Sequence, residues 1–184
     1  MPSPVLNDLV DAARAGNPDD IEALLRAIWP DAYRLARAIV GEDGPAEDIA
    51  QEACIIVYRT IASLRDGGAF RTWFYRIVVR EAAAIKRRRS RIEAAVEIAG
   101  GLADPAASVD VWRALSLLPH ALREVVVLRY FEDLSSREIA AILGIPSGTV
   151  RFRLMLARRR LRPMLDESSD HISRPAEEAR TNAV

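Results

Sequence analysis

The stretch Leu134–Arg162, LSSREIAAILGIPSGTVRFRLMLARRRLR, decides the fold of the C-terminal part of the chain. Ser135 followed three residues later by Glu138 predicts a capping box, and therefore the start of a short helix. Gly144 favours a left-handed residue at the end of that helix, and Pro146 prevents its continuation. The pattern predicts two helices joined by a tight turn.

The second predicted helix has an apolar face and a basic face, and Ser147 is placed to cap it. Residues 147–163 contain six arginines and no acidic residue, a local charge of +6. A capped helix, a glycine-containing turn and a basic second helix are typical of the DNA-binding helix-turn-helix. A helical hairpin with a solvated basic face is the alternative interpretation. We expect burial of the apolar residues at helical spacing, Val150, Leu154, Ala157 and Leu161.

Composition limits the class of protein. The 184 residues, half of them hydrophobic, allow one or two domains, and no apolar run is long enough for a membrane span. The N-terminus lacks the pattern of a signal peptide, so we expect a cytoplasmic protein without direct membrane insertion. Cys54 is the only cysteine, and His120 and His171 lie far apart, so we expect no disulfide, metal site or cofactor. Without a phosphate loop or nucleophile elbow, we predict neither enzyme activity nor a small-molecule substrate.

Charge is strongly segregated along the chain, although the net charge is zero. Residues 1–66 hold 6 basic and 12 acidic side chains, a balance of −6, whereas residues 71–91 hold 8 basic side chains and one acid, a balance of +7. This distribution predicts two nucleic-acid contacts and a different partner for the acidic part. Arginine supplies 25 of the 26 basic residues, which suits phosphate and guanine recognition, although a GC-rich genome would produce the same bias.

Almost every apolar pattern has a helical period, so we predict an all-α fold. We expect two small helical domains joined by a flexible linker, the C-terminal one a helix-turn-helix. A helix that opens at Asn17-Pro18-Asp19 should end or kink at Pro30, and another should run from Pro45 to about Ser63. The predicted boundaries are 1–93 for the first domain, 94–108 for the linker, 109–166 for the second domain and 167–184 for a polar tail.

The second informative stretch is FRTWFYRIVVREAAAIKRRRSR, residues 70–91. Basic side chains follow one side of this predicted helix, and aromatic rings crowd its start. Such a surface suits single-stranded DNA, because bases stack on rings at roughly 1–3 kcal/mol each while arginines follow the backbone. Burial of the rings in the core is the alternative. Four of the eleven aromatic residues of the chain lie in its first six positions: Phe70, Trp73, Phe74 and Tyr75.

Three segments resemble the sigma-70 family, specifically its extracytoplasmic-function (ECF) sigma factors, over residues 19–165. PAEDIAQEACIIVYR, residues 45–59, is similar to the polymerase-binding motif, usually close to DAEDLVQETFLRAWR. Residues 70–89 resemble the segment that melts and reads the promoter −10 element. Residues 118–161 resemble the −35-reading domain, including GTV followed by a basic residue, in a module that LuxR-class regulators share.

The resemblance implies a protein that binds core RNA polymerase and promoter DNA, directs transcription initiation without catalysis of its own, and is controlled by an anti-sigma factor. Asp48, Gln51 and Glu52 would bind the clamp helices of the largest polymerase subunit. The loop 63–69 would hold a flipped −10 base. The residues implied at the −10 element are Phe70, Arg71, Trp73, Arg80, Lys86, Arg87 and Arg88.

At the −35 element the resemblance implies two kinds of contact. Base edges would be approached by Arg151, Phe152 and Met155. Phosphates would be bound by Arg137, Ser147, Thr149, Arg153 and Arg158.

Some residues depart from the family pattern. Phe152 stands where serine is common, and Met155-Leu156 stands where His-Arg is common, so the reading face is more apolar than usual. Contact with thymine methyl groups and a surface for a protein partner are both open interpretations. Arg80 replaces a usual asparagine, and Ile56 replaces a polar residue. Two other functions also stay open: a DNA-binding regulator independent of polymerase, and a sigma-like decoy that sequesters an anti-sigma factor.

Overall fold

A computed structural model describes residues 4–95 and 109–173 of the chain. Within these two ranges the regular structure is entirely helical, which confirms the predicted all-α fold. Short 3₁₀ turns at Ile61–Ser63 and Gly67–Ala69 connect the third and fourth helices. The helices are α1 (Pro4–Arg14), α2 (Pro18–Val40), α3 (Asp43–Thr60), α4 (Phe70–Ala95), α5 (Val109–Leu117), α6 (His120–Tyr130), α7 (Ser136–Leu143) and α8 (Ser147–Ser173).

Two predicted boundaries fall near the ends of these ranges. α4 continues to Ala95, two residues into the predicted linker, and the remainder of that linker lies outside the described residues. α8 passes Asp166, the predicted end of the second domain, and continues to Ser173 with Pro163 inside it. Residues 174–184 of the predicted tail also lie outside the described part of the chain.

Helices α1 to α4 form the N-terminal half around a shared apolar core. α2 begins as predicted, because the Asn17 side chain accepts a hydrogen bond from the Asp19 amide at 3.1 Å. It continues through Pro30, so of the two predicted outcomes, an end or a kink, the end is excluded. Buried residues such as Ile28 and Leu35 lie on both sides of the proline, and their packing offsets a local cost of about 3 kcal/mol.

Helix α3 buries the apolar stripe that its sequence predicts. Ile49, Ala53 and Val57 are fully buried, and Ile61 continues the stripe into the 3₁₀ turn that ends the helix. Ile56 is half-buried and packs against the core, so it does not project from the surface as a polar residue would.

Helices α5 to α8 form the C-terminal half. The capping box is present, since the Glu138 amide donates to Ser135 Oγ at 3.3 Å and the Ser135 amide donates to Glu138 Oε2 at 2.8 Å. Gly144 ends α7 with a φ of 66°, as expected for a left-handed cap. Ser147 is not the cap of α8: the helix begins at Ser147, and the Pro146 carbonyl accepts from the Val150 amide at 3.2 Å.

Removing the capping box should destabilise the helix-turn-helix. We expect Ser135→Ala to lower the free energy of unfolding by about 1 kcal/mol, because the first turn of α7 loses a side-chain acceptor. Ser136→Ala, one residue inside the same helix, is the matched control and should change stability little. Urea unfolding at neutral pH measures the free energy of unfolding of both variants. An equal loss of stability in Ser135→Ala and Ser136→Ala would contradict a specific role for the capping box.

The stability that the capping box contributes depends on pH. Hydrogen bonds from the Ser135 side chain and backbone hold the pKa of Glu138 below its usual range. A depressed carboxyl pKa adds stability above the unfolded-state value, and this stability is lost as pH falls through the folded-state value. The difference between the wild-type chain and Ser135→Ala should therefore shrink below about pH 4.

The two halves pack directly against each other, which the sequence did not indicate. α6 and α5 contact α2, and α7 contacts α4. Arg123 of α6 donates from Nη1 to the Ile39 carbonyl of α2 at 2.9 Å, and Arg76 of α4 donates to the Ala141 carbonyl of α7 at 2.9 Å. The helices with the predicted functional residues therefore lie within one packed unit.

Candidate functional site

The acidic face of α3 is formed by Asp48, Gln51 and Glu52, and all three side chains are exposed. Their spacing of three and four residues places them on one side of the helix, opposite the buried stripe. They line an open groove of about 500 Å³ between α3 and α4, together with the apolar Ile55 and Ile85. An acidic face beside apolar residues suits a basic helical partner.

The start of α4 holds the predicted aromatic cluster, but its rings differ in accessibility. Phe70 is only 3% exposed, and its ring stacks on Phe74 with centroids 5.7 Å apart. In this arrangement Phe70 supports the surface and is not available to stack on a base. Trp73 is half-buried and lies at 49° to the Phe70 ring, with a centroid distance of 5.8 Å. Trp73 is therefore the more accessible of the two predicted aromatic contacts.

The loop that precedes α4 is held in place by α1. The sequence did not indicate this contact. Arg14 donates to the carbonyl of Leu64 at 2.7 Å and to the carbonyl of Arg65 at 2.8 Å. Gly67 lies so close to α1 that a Cβ atom there would be 2.6 Å from Asp11 Oδ1. The loop implied to hold a flipped base therefore has a defined shape, held from the N-terminal helix.

The basic residues of α4 divide into free and engaged side chains. Arg80, Lys86, Arg87 and Arg88 are exposed along the middle and the second half of the helix. Arg71, in contrast, is half-buried: it donates to the Glu132 backbone carbonyl and lies over the Tyr75 ring, 5.4 Å from its centroid. The exposed group forms a positive surface that can follow a nucleic-acid backbone.

Helix α8 presents the predicted −35-reading face. Phe152 and Met155 are 56% and 53% exposed, and Arg151 and Arg158 are exposed beside them. The opposite face buries Val150, Leu154 and Ala157 as the spacing predicts, and Leu161 is partly buried. The remaining members of the predicted set are exposed or half-buried near the start of the two helices: Arg137, Ser147, Thr149 and Arg153.

Tyr130 contributes to this face although nothing in its sequence position indicates it. The Arg158 Nε donates to Tyr130 Oη at 2.7 Å, and the guanidinium carbon lies 5.9 Å from the ring centroid. The two residues are 28 positions apart, so no helical spacing connects them. The contact fixes the direction of an arginine that the resemblance assigns to phosphate binding.

A buried carboxylate, Glu132, lies between the two halves. It is 4% exposed, its Oε2 accepts a hydrogen bond from the Tyr75 hydroxyl, and its Oε1 is 3.7 Å from Arg34 Nη2. Burial, followed by the hydrogen bond to Glu132, raises the pKa of Tyr75 well above its usual range. No pattern in the sequence indicates a role for Glu132.

Residues 4–95 and 109–173 contain no cluster of three or more histidine, cysteine, aspartate or glutamate side chains that could hold a metal ion. In the same ranges no single helix is long and apolar enough to cross a membrane, and only α7 with the first part of α8, bent by 106°, reaches that length and composition as a pair.

Cys54 should react slowly in the folded chain. Its thiol is half-buried on α3, and burial raises its pKa. Because the thiolate is the reactive form, we expect maleimide labelling at neutral pH to be several-fold slower in the folded chain than in urea. The labelling rate should increase at pH values above the ordinary thiol range. Equally fast labelling of folded and unfolded chain at neutral pH would contradict this prediction.

The chain is similar to known proteins over both of its halves. The sequence model of Sigma-70 region 2 matches residues 24–92, and that of Sigma-70, region 4 matches residues 108–161. RNA polymerase sigma factor SigV of Bacillus subtilis (strain 168) is 34% identical over 140 residues, which cover 73% of this chain and 84% of that protein. ECF RNA polymerase sigma factor SigW of the same organism is 32% identical over 176 residues, which cover 85% of this chain and 94% of that protein.

A solved structure shares the fold. The sigma factor RpoE, in complex with the anti-sigma factor NepR from Bartonella quintana, is 26% identical with a TM-score of 0.69, and the match covers 80% of this chain and 97% of that chain. The family models match both halves of the chain, and the identity to full-length relatives extends through both. The chain therefore belongs to the sigma-70 family, among its extracytoplasmic-function sigma factors.

Proposed function

We propose that this ECF sigma factor binds core RNA polymerase through the acidic face of α3 and reads promoters through the basic surfaces of α4 and α8. The observation that carries the proposal is the presence of three exposed surfaces, one acidic and two basic, on three different helices of one chain. The acidic surface of α3 and the basic surface of α4 adjoin at the groove, which Arg88 also lines. Each surface has a buried apolar stripe behind it, so the charged side chains are exposed to partners, with Arg158 oriented by Tyr130. The polymerase supplies the catalysis, and this chain supplies recognition.

The acidic face is assigned to the polymerase. Asp48, Gln51 and Glu52 adjoin the apolar Ile55 and Ile85, and such a mixture gives both charge selection and apolar burial to a docking helix. A DNA-binding surface would not carry acids at these positions, because phosphates would be repelled.

The two basic surfaces are assigned to promoter DNA. On α4, Arg80, Lys86, Arg87 and Arg88 are available for the −10 region, with Trp73 at its edge. On α8, Phe152 and Met155 lie on the same exposed face as Arg151, where apolar side chains suit thymine methyl groups in the major groove. Phosphate contacts at α8 fix the register, and the apolar contacts give this chain a −35 preference of its own.

Control by an anti-sigma factor, and action in the cytoplasm beside the polymerase, complete the proposal. The similar Bartonella quintana sigma factor was solved with an anti-sigma factor bound, and by similarity this chain has such a partner. The open groove between α3 and α4 is accessible to an inhibitor as well as to polymerase.

A test of polymerase binding separates the proposal from a DNA-binding regulator. Purified chain is mixed with bacterial core RNA polymerase and passed through a size-exclusion column. We expect the chain to elute with the polymerase, and a second ECF sigma factor added in excess should displace it. If no complex forms while the chain still binds DNA, the regulator is the better account.

A further inference from the structure

The loop 63–69, which precedes α4, is anchored at both of its ends in the apolar core. Ile61 lies just before it and is fully buried, and Phe70 lies just after it and is 3% exposed. The middle of the loop is open to solvent, since Arg65 and Asp66 are exposed. The shape of the loop therefore depends on what holds its middle, because exposed segments with few buried contacts open most easily.

Arg14 of α1 holds the middle of this loop with its whole guanidinium group. Its Nε donates to the Leu64 carbonyl at 2.7 Å, and its Nη2 donates to the Arg65 carbonyl at 2.8 Å. Its Nη1 forms an ion pair with Asp11 Oδ1, one helical turn earlier, at 2.9 Å. Carbonyls in an irregular loop lack the partners that a helix would supply, and the planar fork of arginine satisfies two neighbouring ones at once.

The same ion pair limits the path of the loop from the side of α1. A Cβ atom at Gly67 would lie 2.6 Å from Asp11 Oδ1 and 3.6 Å from Arg14 Nη1, so only glycine fits this approach without displacing the ion pair. α1 is itself fixed, because Val10 and Ala13 are fully buried in the shared core. The loop therefore rests against a helix that cannot easily yield.

We propose that Arg14 is a positioning residue for promoter opening, because it keeps the loop 63–69 in the shape that receives an unstacked base of the −10 element. The inference rests on the proposed function, in which α4 meets the −10 region of the promoter. Removing a base from its stack costs free energy, and a loop that had to order at the same time would add the entropy of its backbone to that cost. Arg14 acts through the loop and orders it before the base arrives, so less binding energy is lost.

Two substitutions disturb the contact from opposite sides, and each has a matched control. Arg14→Ala removes the donors, and Gly67→Ala places a Cβ atom against the ion pair. The control for the first is Arg26→Ala, which removes an exposed arginine that pairs within its own helix. The control for the second is Gly44→Ala, where the added methyl group meets open space. Arg14→Lys is the conservative variant, since it keeps a charged donor without the planar fork.

Hydrogen exchange of the free chain measures how firmly the loop is held. The Gly68 amide donates to Asp66 Oδ1 at 2.9 Å, and the Ala69 amide donates to the Asp66 carbonyl at 3.1 Å, so both are protected only while the loop keeps this shape. We expect Arg14→Ala and Gly67→Ala to raise exchange several-fold in peptides that cover residues 61–70. Arg14→Lys should recover part of the protection, and the two controls should match the wild-type chain.

Fluorescence of promoter DNA measures the effect on the −10 base. The probe is a genomic fragment on which the wild-type chain and core polymerase start transcription, with 2-aminopurine beside each −10 position of the non-template strand in turn. Its fluorescence rises when the neighbouring base leaves the stack. We expect one position to respond, and the rate of this rise to fall about tenfold in Arg14→Ala, the change that corresponds to losing one charge-assisted hydrogen bond.

An abasic site separates a positioning role from a general loss of stability. On a fragment with an abasic site at the responding position, transcription with Arg14→Ala should equal that with the wild-type chain, because no base enters the loop. Elution of Arg14→Ala with core polymerase should also be unchanged. Unchanged exchange or unchanged fluorescence in Arg14→Ala, an equal loss in Arg26→Ala, or an undiminished defect on the abasic fragment would overturn the positioning role.

The proposed function fails in a different measurement. A wild-type chain that neither elutes with core polymerase nor directs transcription would contradict the proposed function, whereas exchange in the free chain requires no polymerase. A wild-type chain that directs transcription, with exchange and opening unaffected by Arg14→Ala, would contradict the positioning role alone.

Discussion

Replacing Asp48 and Glu52 together with lysine should abolish the elution of the chain with core RNA polymerase. Both carboxylates are exposed on the outward face of α3, and the two substitutions change the charge of that face by +4. Like charges at an interface cost several kcal/mol, and every 1.4 kcal/mol is about a tenfold loss of affinity. We therefore expect affinity to fall by at least about a hundredfold.

The fold should survive this change. The buried stripe of α3 is untouched, and substitutions on a solvated face usually alter stability by less than about 0.5 kcal/mol each. Circular dichroism and urea unfolding check this point. The matched control is Asp8→Lys with Glu22→Lys, the same charge change at exposed acids of α1 and α2. Loss of binding in both variants would indicate a general charge effect, and retention in both would place the polymerase contact elsewhere.

Replacing Arg151 and Arg158 together with glutamate should abolish promoter-directed transcription and leave polymerase binding intact. Both side chains are exposed beside Phe152 and Met155, and Arg158 is oriented by Tyr130. A good base contact by arginine contributes about 1–3 kcal/mol, and each lost phosphate contact lowers the dependence of affinity on salt. We expect DNA affinity to fall by at least about a hundredfold.

This variant also tests the decoy interpretation. A decoy needs no DNA contact, so the variant would still bind an anti-sigma factor. The unsubstituted decoy would also support no transcription. The control is Arg26→Glu with Arg113→Glu, an equal charge change at exposed arginines of α2 and α5. If the control loses transcription as completely as the α8 variant, the effect follows from net charge and not from the reading face.

Local signals predicted the helix-turn-helix well because each depends on residues close in sequence. The capping box at Ser135 and Glu138, the left-handed Gly144 and the stripe of α8 all follow from spacing within one or two turns. The outward position of Asp48, Gln51 and Glu52 follows from the same periodicity. The first residue of α8 was predicted one position too late, since Pro146 and not Ser147 precedes the helix.

The features of the fold that the sequence did not predict depend mainly on tertiary packing. Pro30 remains inside α2 because packing on both sides outweighs its local cost. Phe70 stacks on Phe74 one helical turn away, but the spacing alone could not show that both rings face the core. Tyr75 and Glu132 are 57 positions apart, and Arg123 and Ile39 are 84 apart, so no periodicity could indicate that the halves meet. The contact between the halves also engages Arg71, one of the predicted DNA-binding residues.

Transcription in vitro tests the central claim most directly. Core RNA polymerase is incubated with genomic fragments of the source organism, with and without the purified chain, and the starts of the transcripts are mapped. We predict new start sites that depend on the chain, share two upstream sequence elements at −10 and −35, and disappear with the Asp48→Lys, Glu52→Lys variant. Transcripts that are identical with and without the chain, from a core polymerase that responds to another sigma factor, would contradict the account.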